Sequence, residues 1–349
     1  MKSLQELVGI ELPIIQAPMA GAQGSALAIA VANAGGLGSL PCAMLSIDAM
    51  RSELRTIRAQ TKKPINVNFF CHKEPQPNES RDTNWRSKLA RFYKELGLEP
   101  DTVTASSAQR RPFDLQAAEA LAEFKPEVVS FHFGLPTPEL LERVRAWDAK
   151  IISSATTVDE ARWLAERGVD MIVAQGWEAG GHRGHFLSED LTTQAGTFAL
   201  LPQILAAVRV PVLAAGGIAD AQGVAAAMKL GASGVQIGTA YLLCPESTIG
   251  SLHRAALKSE GARHTAVTNV ITGRPARGIM NRIMRELGPI DPDAPEFPLA
   301  YNAIAPLRAK AESIGSSDFS PLWSGQNAIG CKEIRAAELT RELASLIAT

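Results

Sequence analysis

The sequence has few cysteines and no block of like charge. Its four cysteines lie far apart in 349 residues and form no Cys-x-x-Cys pair. A disulfide framework or a cysteine zinc site is therefore not expected, and reduced thiols indicate a cytoplasmic protein. Lys and Arg number 35 against 36 Asp and Glu. We interpret the isolated Arg110-Arg111 pair as solvated surface and expect no nucleic-acid partner.

The sequence also lacks a clear membrane span. No charged residue occurs between Glu11 and Asp48, a stretch long enough to cross a bilayer. Pro13, Pro18 and a run of glycines interrupt it, so a buried strand–helix–strand unit is the better interpretation. The first ten residues have no apolar core of a signal peptide. We expect no membrane attachment.

Short apolar runs alternate with segments of helical period along most of the chain. Val158–Arg167 and Ala221–Leu230 are clear predicted helices, with Thr157 and Asp220 at their N-caps and a glycine after each. The apolar runs are continuous, which is typical of strands buried on both faces. The predicted strands are Pro13–Met19, Gly36–Leu40, Ile65–Phe70, Val128–Phe133, Ile151–Ala155, Met171–Gln175, Pro211–Ala215 and Val235–Ala240.

Eight such strands with helical crossovers predict an α/β fold, the (β/α)8 TIM barrel. An open doubly wound sheet is the alternative, but glycines at the ends of the last two strands favour closure. Residues 72–112 are polar and predict a long excursion after the third strand. We predict that this barrel occupies residues 1–245. Residues 246–349 would form a smaller, mainly helical subdomain that covers the barrel mouth, together with the C-terminal helices.

Two glycine turns predict a phosphate site at the carboxyl ends of the last two strands. Gly216-Gly217 follows the seventh strand, and Gly238-Thr239 lies at the end of the eighth. Backbone N–H groups can approach an anion there without a Cβ in the way, and barrels commonly hold phosphate on these loops. For a single such turn, tight strand-to-helix packing is the better explanation, but two turns on adjacent strands at the same end favour phosphate.

Polar side chains at other strand ends fit a heterocycle such as a flavin. Asn68 and Gln175 end the third and sixth strands in apolar surroundings, where a buried amide needs a partner. Bonds to neighbouring backbone are an equal alternative. His132 ends the fourth strand and is either a pocket-lining residue or a core histidine. Pro18 and Met19 end the first strand on the same side of the barrel.

The loop after the sixth strand carries the candidate catalytic residue. Gly180-Gly181-His182 places a histidine in backbone that can approach a ligand closely. Such a histidine can orient a substrate anion or move a proton near neutral pH; a surface histidine is the alternative. His182 and His185 are spaced as a metal pair, but no third ligand is evident, so we predict no metal site.

These motifs together resemble the nitronate monooxygenases, formerly called 2-nitropropane dioxygenases. The resemblance implies non-covalent FMN and a catalytic role for His182. It is strongest at Gln16–Gly21, Ile65–Phe70, Val129–Gly134, Ala174–Gly184, Ala214–Ile218 and Gln236–Thr239, and continues in Thr272–Gly278 and Leu322–Gln326. The implied FMN contacts, together with neighbours at the same strand ends, are Pro18, Met19, Asn68, Gln175, Gly180, Gly181, Gly216, Gly217, Gln236, Ile237, Gly238 and Thr239.

The resemblance also implies a reaction. An alkyl nitronate, with propionate 3-nitronate as the natural substrate, would react with O₂ to give a carbonyl compound and nitrite. His182 would hold the nitro oxygens or remove the α-proton of a neutral nitroalkane. Some bacterial members carry Tyr-x-x-x-Tyr-x-x-x-Lys on the covering helix. Here Tyr301 is followed by Ala305 and Ala309, so Tyr301 alone is carried over as a pocket residue.

Other functions remain open. An FMN-dependent NAD(P)H:quinone or enoyl reductase would be bleached by NAD(P)H without a nitronate. A non-flavin isomerase or aldolase acting on a sugar phosphate would be colourless, and a phosphate-ligand sensor would bind without turnover. The sequence leaves use of NAD(P)H and formation of a homodimer undecided.

Overall fold

A computed structural model describes residues 3–99 and 110–347 of the chain. Its main element is a sheet of eight parallel strands in the order β1-β9-β8-β6-β5-β4-β3-β2. A bridge between Ile15 and Leu37 joins the two edge strands, so the predicted (β/α)8 barrel is confirmed. The barrel strands are β1 (Ile14–Gln16), β2 (Gly38–Pro41), β3 (Ile65–Phe70), β4 (Val128–His132), β5 (Lys150–Ala155), β6 (Met171–Gln175), β8 (Val212–Ala215) and β9 (Gly234–Ile237).

All eight predicted strands are present, and the largest errors are at the ends of β1 and β9. Both strands end three residues before their predicted ends. After β9 the chain turns at Gly238 into a 3-10 helix over Thr239–Leu243. The apolar run Val235–Ala240 therefore contains both a strand end and the start of a helix, which an apolar pattern alone does not separate.

Helices surround the barrel. Thr157 and Asp220 cap the helices Val158–Glu166 and Ala221–Lys229 as predicted, each accepting a hydrogen bond from a backbone N–H in the first turn. The short helix α1 (Leu4–Val8) packs Leu4 and Val8 with the apolar side chains at the amino end of the barrel. The surrounding helices are α2 (Ser25–Asn33), α3 (Ile47–Gln60), α5 (Leu115–Ala122), α6 (Pro138–Arg145), α7 (Val158–Glu166), α8 (Thr197–Ala207), α9 (Ala221–Lys229) and α13 (Ala336–Ala344).

The predicted excursion after β3 contains a helix, α4 (Glu79–Glu95). Its residues Trp85, Leu89 and Phe92 are fully buried. They share a core with apolar residues of the C-terminal region, among them Ile304 and Phe319. The sequence did not predict this helix because polar and charged residues dominate the segment and obscure the spacing of its few apolar residues. Residues 100–109 of the predicted excursion lie outside the described part of the chain.

The part of the C-terminal region that covers the barrel contains three α-helices, the 3-10 helix Glu260–Arg263 and a β-hairpin. The α-helices are α10 (Ser251–Lys258), α11 (Arg282–Leu287) and α12 (Ala300–Ser313). Strands β10 (Thr265–Thr268) and β11 (Ala276–Ile279) form the hairpin, and β7 (Gly181–His182) pairs antiparallel with β11.

This three-stranded sheet ties the loop after β6 to the covering region. By contrast, α13 packs Leu339 and Leu343 into the barrel core. The predicted division at residue 245 stays a prediction. No helix in the described ranges is long and apolar enough to cross a membrane.

Candidate active site

A cavity of about 560 Å³ lies at the carboxyl ends of the barrel strands, a size usual for small-molecule sites. Residues from the barrel strand ends line one side, and residues of the C-terminal region line the other. The cavity therefore lies where the barrel and its covering region meet. Every residue predicted for the site except Tyr301 lines it: Pro18, Met19, Asn68, His132, Gln175, Gly180, Gly181, His182, Gly216, Gly217, Gln236, Ile237, Gly238 and Thr239.

The two glycine turns lie side by side at this cavity, since β8 and β9 are neighbours in the sheet. Gly216 and Gly217 have φ of 113° and 74°, a backbone conformation that favours glycine. The N–H groups of Gly217 and Gly238 donate no hydrogen bond to any described residue. Unpaired backbone donors at a cavity wall are suited to an anionic ligand.

Gly180 has a structural reason to be glycine. A Cβ at this position would lie 2.5 Å from the backbone nitrogen of Gly325. The segment around Gly325 is fixed to the barrel mouth, because Gly325 N–H donates to the Thr239 hydroxyl at 2.9 Å and Gln326 N–H donates to the Glu178 carbonyl at 3.0 Å. The Leu322–Gln326 motif thus closes over the loop after β6.

The two predicted amides behave differently. Both polar groups of the Gln175 side chain bind the loop after β6. Its Nε2 donates to the His182 carbonyl at 3.0 Å, and its Oε1 accepts from Gly184 N–H at 2.8 Å. Asn68 donates through Nδ2 to the hydroxyl of Ser130 at 3.0 Å. Its Oδ1 makes no hydrogen bond to a described residue, so Asn68 keeps an acceptor available at the cavity.

His132 lines the cavity, but both of its ring nitrogens are engaged. Nε2 lies 3.1 Å from the carbonyl oxygen of His182, and Nδ1 lies 2.6 Å from the hydroxyl of Ser154. Because a carbonyl only accepts, Nε2 carries the proton and Nδ1 accepts from Ser154. Burial lowers the pKa of His132 to about 3. His132 is therefore neutral and suited to holding the loop.

His182 lies on β7 with its ring among aromatic side chains. The ring centroid is 5.1 Å from that of Phe297 and 5.6 Å from that of Trp323. Burial holds the pKa of His182 well below its usual value, and the guanidinium of Arg110 is the largest charge that lowers it further. The imidazole is therefore neutral at pH 7 and able to accept a proton.

Arg110 is a cavity residue that the sequence interpretation placed wrongly on a solvated surface; only Arg111 is exposed. Burial lowers the pKa of Arg110. Its guanidinium lies 4.7 Å from the ring centre of Tyr301 and has no carboxylate partner among the described residues. A single Arg-Arg pair in a polar segment gives no signal of this, because the contacts come from α12.

Tyr301 does not line the cavity itself, but it contacts two arginines that do. Its hydroxyl accepts a hydrogen bond from Arg308 at 3.0 Å, and its ring lies under Arg110. Arg308 also pairs with Glu312 at 2.8 Å. Both arginines line the cavity, so Tyr301 supports its cationic wall from behind. Direct contact of Tyr301 with a ligand stays a prediction.

His182 and His185 do not share a partner. His185 is buried and pairs through Nε2 with Glu189 at 3.1 Å, whereas His182 pairs through Nε2 with Thr272 at 2.9 Å. Within residues 3–99 and 110–347, no group of three His, Cys, Asp or Glu side chains is arranged to hold a metal ion.

Comparison with known proteins gives consistent matches over nearly the whole chain. The family model described as nitronate monooxygenase matches residues 1–345. A nitronate monooxygenase of Pseudomonas aeruginosa is 42% identical over 338 residues, covering 97% of this chain and 96% of the relative.

Two solved structures extend the comparison. A nitroalkane oxidase from Streptomyces ansochromogenes has a TM-score of 0.88 and 36% identity, covering 99% of this chain and 97% of that one. The FabK protein of Thermotoga maritima has a TM-score of 0.73 and 25% identity, covering 99% and 96%. Because each match covers 99% of this chain, both include the barrel and the covering region.

Proposed function

The chain belongs to the nitronate monooxygenase family, and from that premise we propose that it oxidises alkyl nitronates with O₂ to a carbonyl compound and nitrite. The observation that carries the proposal is the shared cavity of His182 and Arg110. It places in the wall of one cavity a neutral imidazole and a guanidinium that has no carboxylate partner among the described residues. A nitronate fits both groups: as an anion it can bind the guanidinium, and it can form when the imidazole removes a proton from a neutral nitroalkane.

We propose FMN as the cofactor. The residues fit it: the free N–H groups of Gly217 and Gly238 would hold the phosphate, and Asn68 Oδ1 would meet a ring donor. Gln175 and His132 would act indirectly by fixing the loop that carries His182. When bound, the flavin supplies the one-electron oxidation and the reaction with O₂. The protein supplies binding, orientation and the proton acceptor.

The cationic wall supports an anionic substrate. A guanidinium that is partly removed from water and lacks a carboxylate partner is unfavourable, and an anionic ligand would offset that cost. Arg110 has no such partner among the described residues, and Arg308 has only Glu312. Propionate 3-nitronate carries a nitronate and a carboxylate, and we propose it as the natural substrate. The two guanidinium groups offer a partner for each end.

The proposed role of His182 depends on the form of the substrate. With a neutral nitroalkane, the imidazole removes the α-proton and gives the nitronate. With a preformed nitronate, no proton has to be removed, and the imidazole only orients the nitro oxygens. The aromatic side chains around His182 keep water away from this step.

An anaerobic titration tests the proposal. Purified yellow protein is mixed with ethyl nitronate and, separately, with NADH and NADPH, and the flavin absorption band is followed. We expect a spectral change with the nitronate that O₂ reverses with release of nitrite. A flavin that is bleached rapidly by a nicotinamide cofactor and unchanged by nitronate would contradict the proposal.

A second candidate function is a flavin-dependent enoyl or quinone reductase. The likeness to FabK over 99% of the chain favours it, because the same cavity would serve a hydride-accepting flavin. The titration with NADH and NADPH separates the two. A sugar-phosphate barrel enzyme predicts a colourless protein. A cytoplasmic location and a homodimer stay predictions.

A further inference from the structure

Thr272 is the hydrogen-bond partner of the His182 ring. Its hydroxyl oxygen lies 2.9 Å from Nε2 of His182, and its side chain is fully buried. Thr272 lies in a turn of the covering region that is closed by a hydrogen bond from Gly273 N–H to the Asn269 carbonyl at 2.8 Å. A hydroxyl from outside the barrel is thus fixed against the imidazole of the barrel loop.

The second neighbour of the Thr272 hydroxyl favours one direction for this hydrogen bond. The Thr272 hydroxyl has one hydrogen, and the Arg274 carbonyl lies 3.4 Å from its oxygen as an acceptor. If the hydroxyl donates to that carbonyl, it can only accept from His182, so Nε2 carries the imidazole proton. In a neutral imidazole, Nδ1 is then the nitrogen with a free lone pair.

The second ring nitrogen of His182, Nδ1, is available at the cavity. His182 lines the cavity, and its Nδ1 makes no hydrogen bond to a described residue. The backbone cannot swing easily, because the His182 carbonyl accepts from both Gln175 and His132. The ring is further confined by Phe297 and Trp323. Nε2 is therefore held by Thr272, whereas Nδ1 belongs to a ring that lines the cavity and has no partner among the described residues.

We propose that Thr272 is a positioning residue that selects the Nε2-protonated form of His182, so that Nδ1 accepts the α-proton of a neutral nitroalkane. The inference rests on the proposed function of this site. In the step, the α C–H bond breaks, its proton goes to Nδ1 and its electron pair moves into the nitro group, giving the nitronate. The imidazolium then donates through Nε2 to Thr272 and through Nδ1 to the nitronate.

Two variants of Thr272 with two substrates test the role. Thr272→Val removes the acceptor at nearly constant shape, and Thr272→Ser keeps it. With nitroethane kept neutral, we expect kcat/KM of Thr272→Val to fall at least about tenfold. A positioned acid–base group accelerates a reaction roughly 10²–10⁴-fold, and a group that loses its orientation loses part of that acceleration. Thr272→Ser should stay near the parent. Preformed ethyl nitronate should be affected much less than nitroethane.

A measurement that does not depend on activity tests the proton position itself. In protein labelled with ¹⁵N-histidine, the His182 signals are assigned by their loss in His182→Asn. We expect the parent and Thr272→Ser to show an Nε2-protonated neutral ring, and Thr272→Val to lose that preference. FMN content and thermal unfolding of each variant control for a change in folding.

Specific results would overturn the inference. A parent spectrum with the proton on Nδ1 would do so, as would equal losses of Thr272→Val with nitroethane and ethyl nitronate. If the parent consumes neither compound, the proposed function fails instead. The NMR spectrum then still decides whether Thr272 fixes the proton.

Discussion

His132 donates through its ring Nε2 to the backbone carbonyl oxygen of His182, across 3.1 Å. The carbonyl also accepts from Gln175 at 3.0 Å. Two strand ends of the barrel therefore hold the residue that carries the proposed chemistry. His132 is at the cavity, but its ring nitrogens are used for this hydrogen bond and for the one to Ser154.

The first prediction concerns His132 as a support of the loop. His132→Phe removes both ring hydrogen bonds, and a neutral hydrogen bond is worth about 1 kcal/mol. We expect nitroethane turnover to fall by about five- to tenfold, with FMN retained and the acid limb of the pH profile unchanged. The exposed His264→Phe serves as control. Parent-level turnover by His132→Phe would show that these two hydrogen bonds do not support the loop.

The second prediction concerns pH. The pKa of free His182 is well below its usual value because of burial and the nearby charge of Arg110. A base must be unprotonated, so kcat/KM for neutral nitroethane should stay level as pH falls through about 6.5, the ordinary histidine value, and drop only well below it. Arg110→Met removes one lowering charge and should move this drop to higher pH. A parent profile that falls at the ordinary value would contradict the assignment.

The third prediction concerns the phosphate turns. Gly238→Asp would place a carboxylate at the proposed phosphate, and like charges a few ångströms apart in a shielded site cost several kcal/mol. We expect FMN binding to be lost while circular dichroism shows a folded barrel. Gly261→Asp, in the 3-10 helix Glu260–Arg263 of the covering region, is the matched control. FMN affinity retained in Gly238→Asp would place the phosphate elsewhere.

The fourth prediction concerns substrate charge. Arg110→Met keeps much of the stacking on Tyr301 but removes the charge. A hydrogen bond to a charged group is worth about 1.5–3 kcal/mol, so KM for propionate 3-nitronate should rise at least about tenfold. Butyl-1-nitronate, which lacks the carboxylate, separates the two ends of the substrate. An unchanged KM for both nitronates would remove Arg110 from substrate binding.

The barrel was predictable because each of its strands has a local signal. Buried parallel strands are continuous apolar runs, and caps such as Thr157 and Asp220 identify the helices between them. The glycine turns and His182 were found for the same reason, since the fold fixes where strand ends meet.

The rest of the site depends on contacts distant in sequence. Thr272 meets His182 across 90 positions, and Arg110 meets Tyr301 on α12. Thr272 opens the Thr272–Gly278 motif, but nothing local in that motif indicates a contact with His182, and Arg110 belongs to no motif. Helix α4 had a local signal, in the helical spacing of Trp85, Leu89 and Phe92, but its apolar face packs on the covering region.

The central claim is that this cavity converts nitronates with His182 as its reacting side chain. The most direct measurement follows O₂ consumption and nitrite release by the parent and His182→Asn, with nitroethane and with ethyl nitronate, at matched FMN content. We predict that the parent consumes both compounds. His182→Asn should lose at least about a hundredfold with nitroethane and less with ethyl nitronate. Parent-level turnover of both compounds by FMN-loaded His182→Asn would contradict the account.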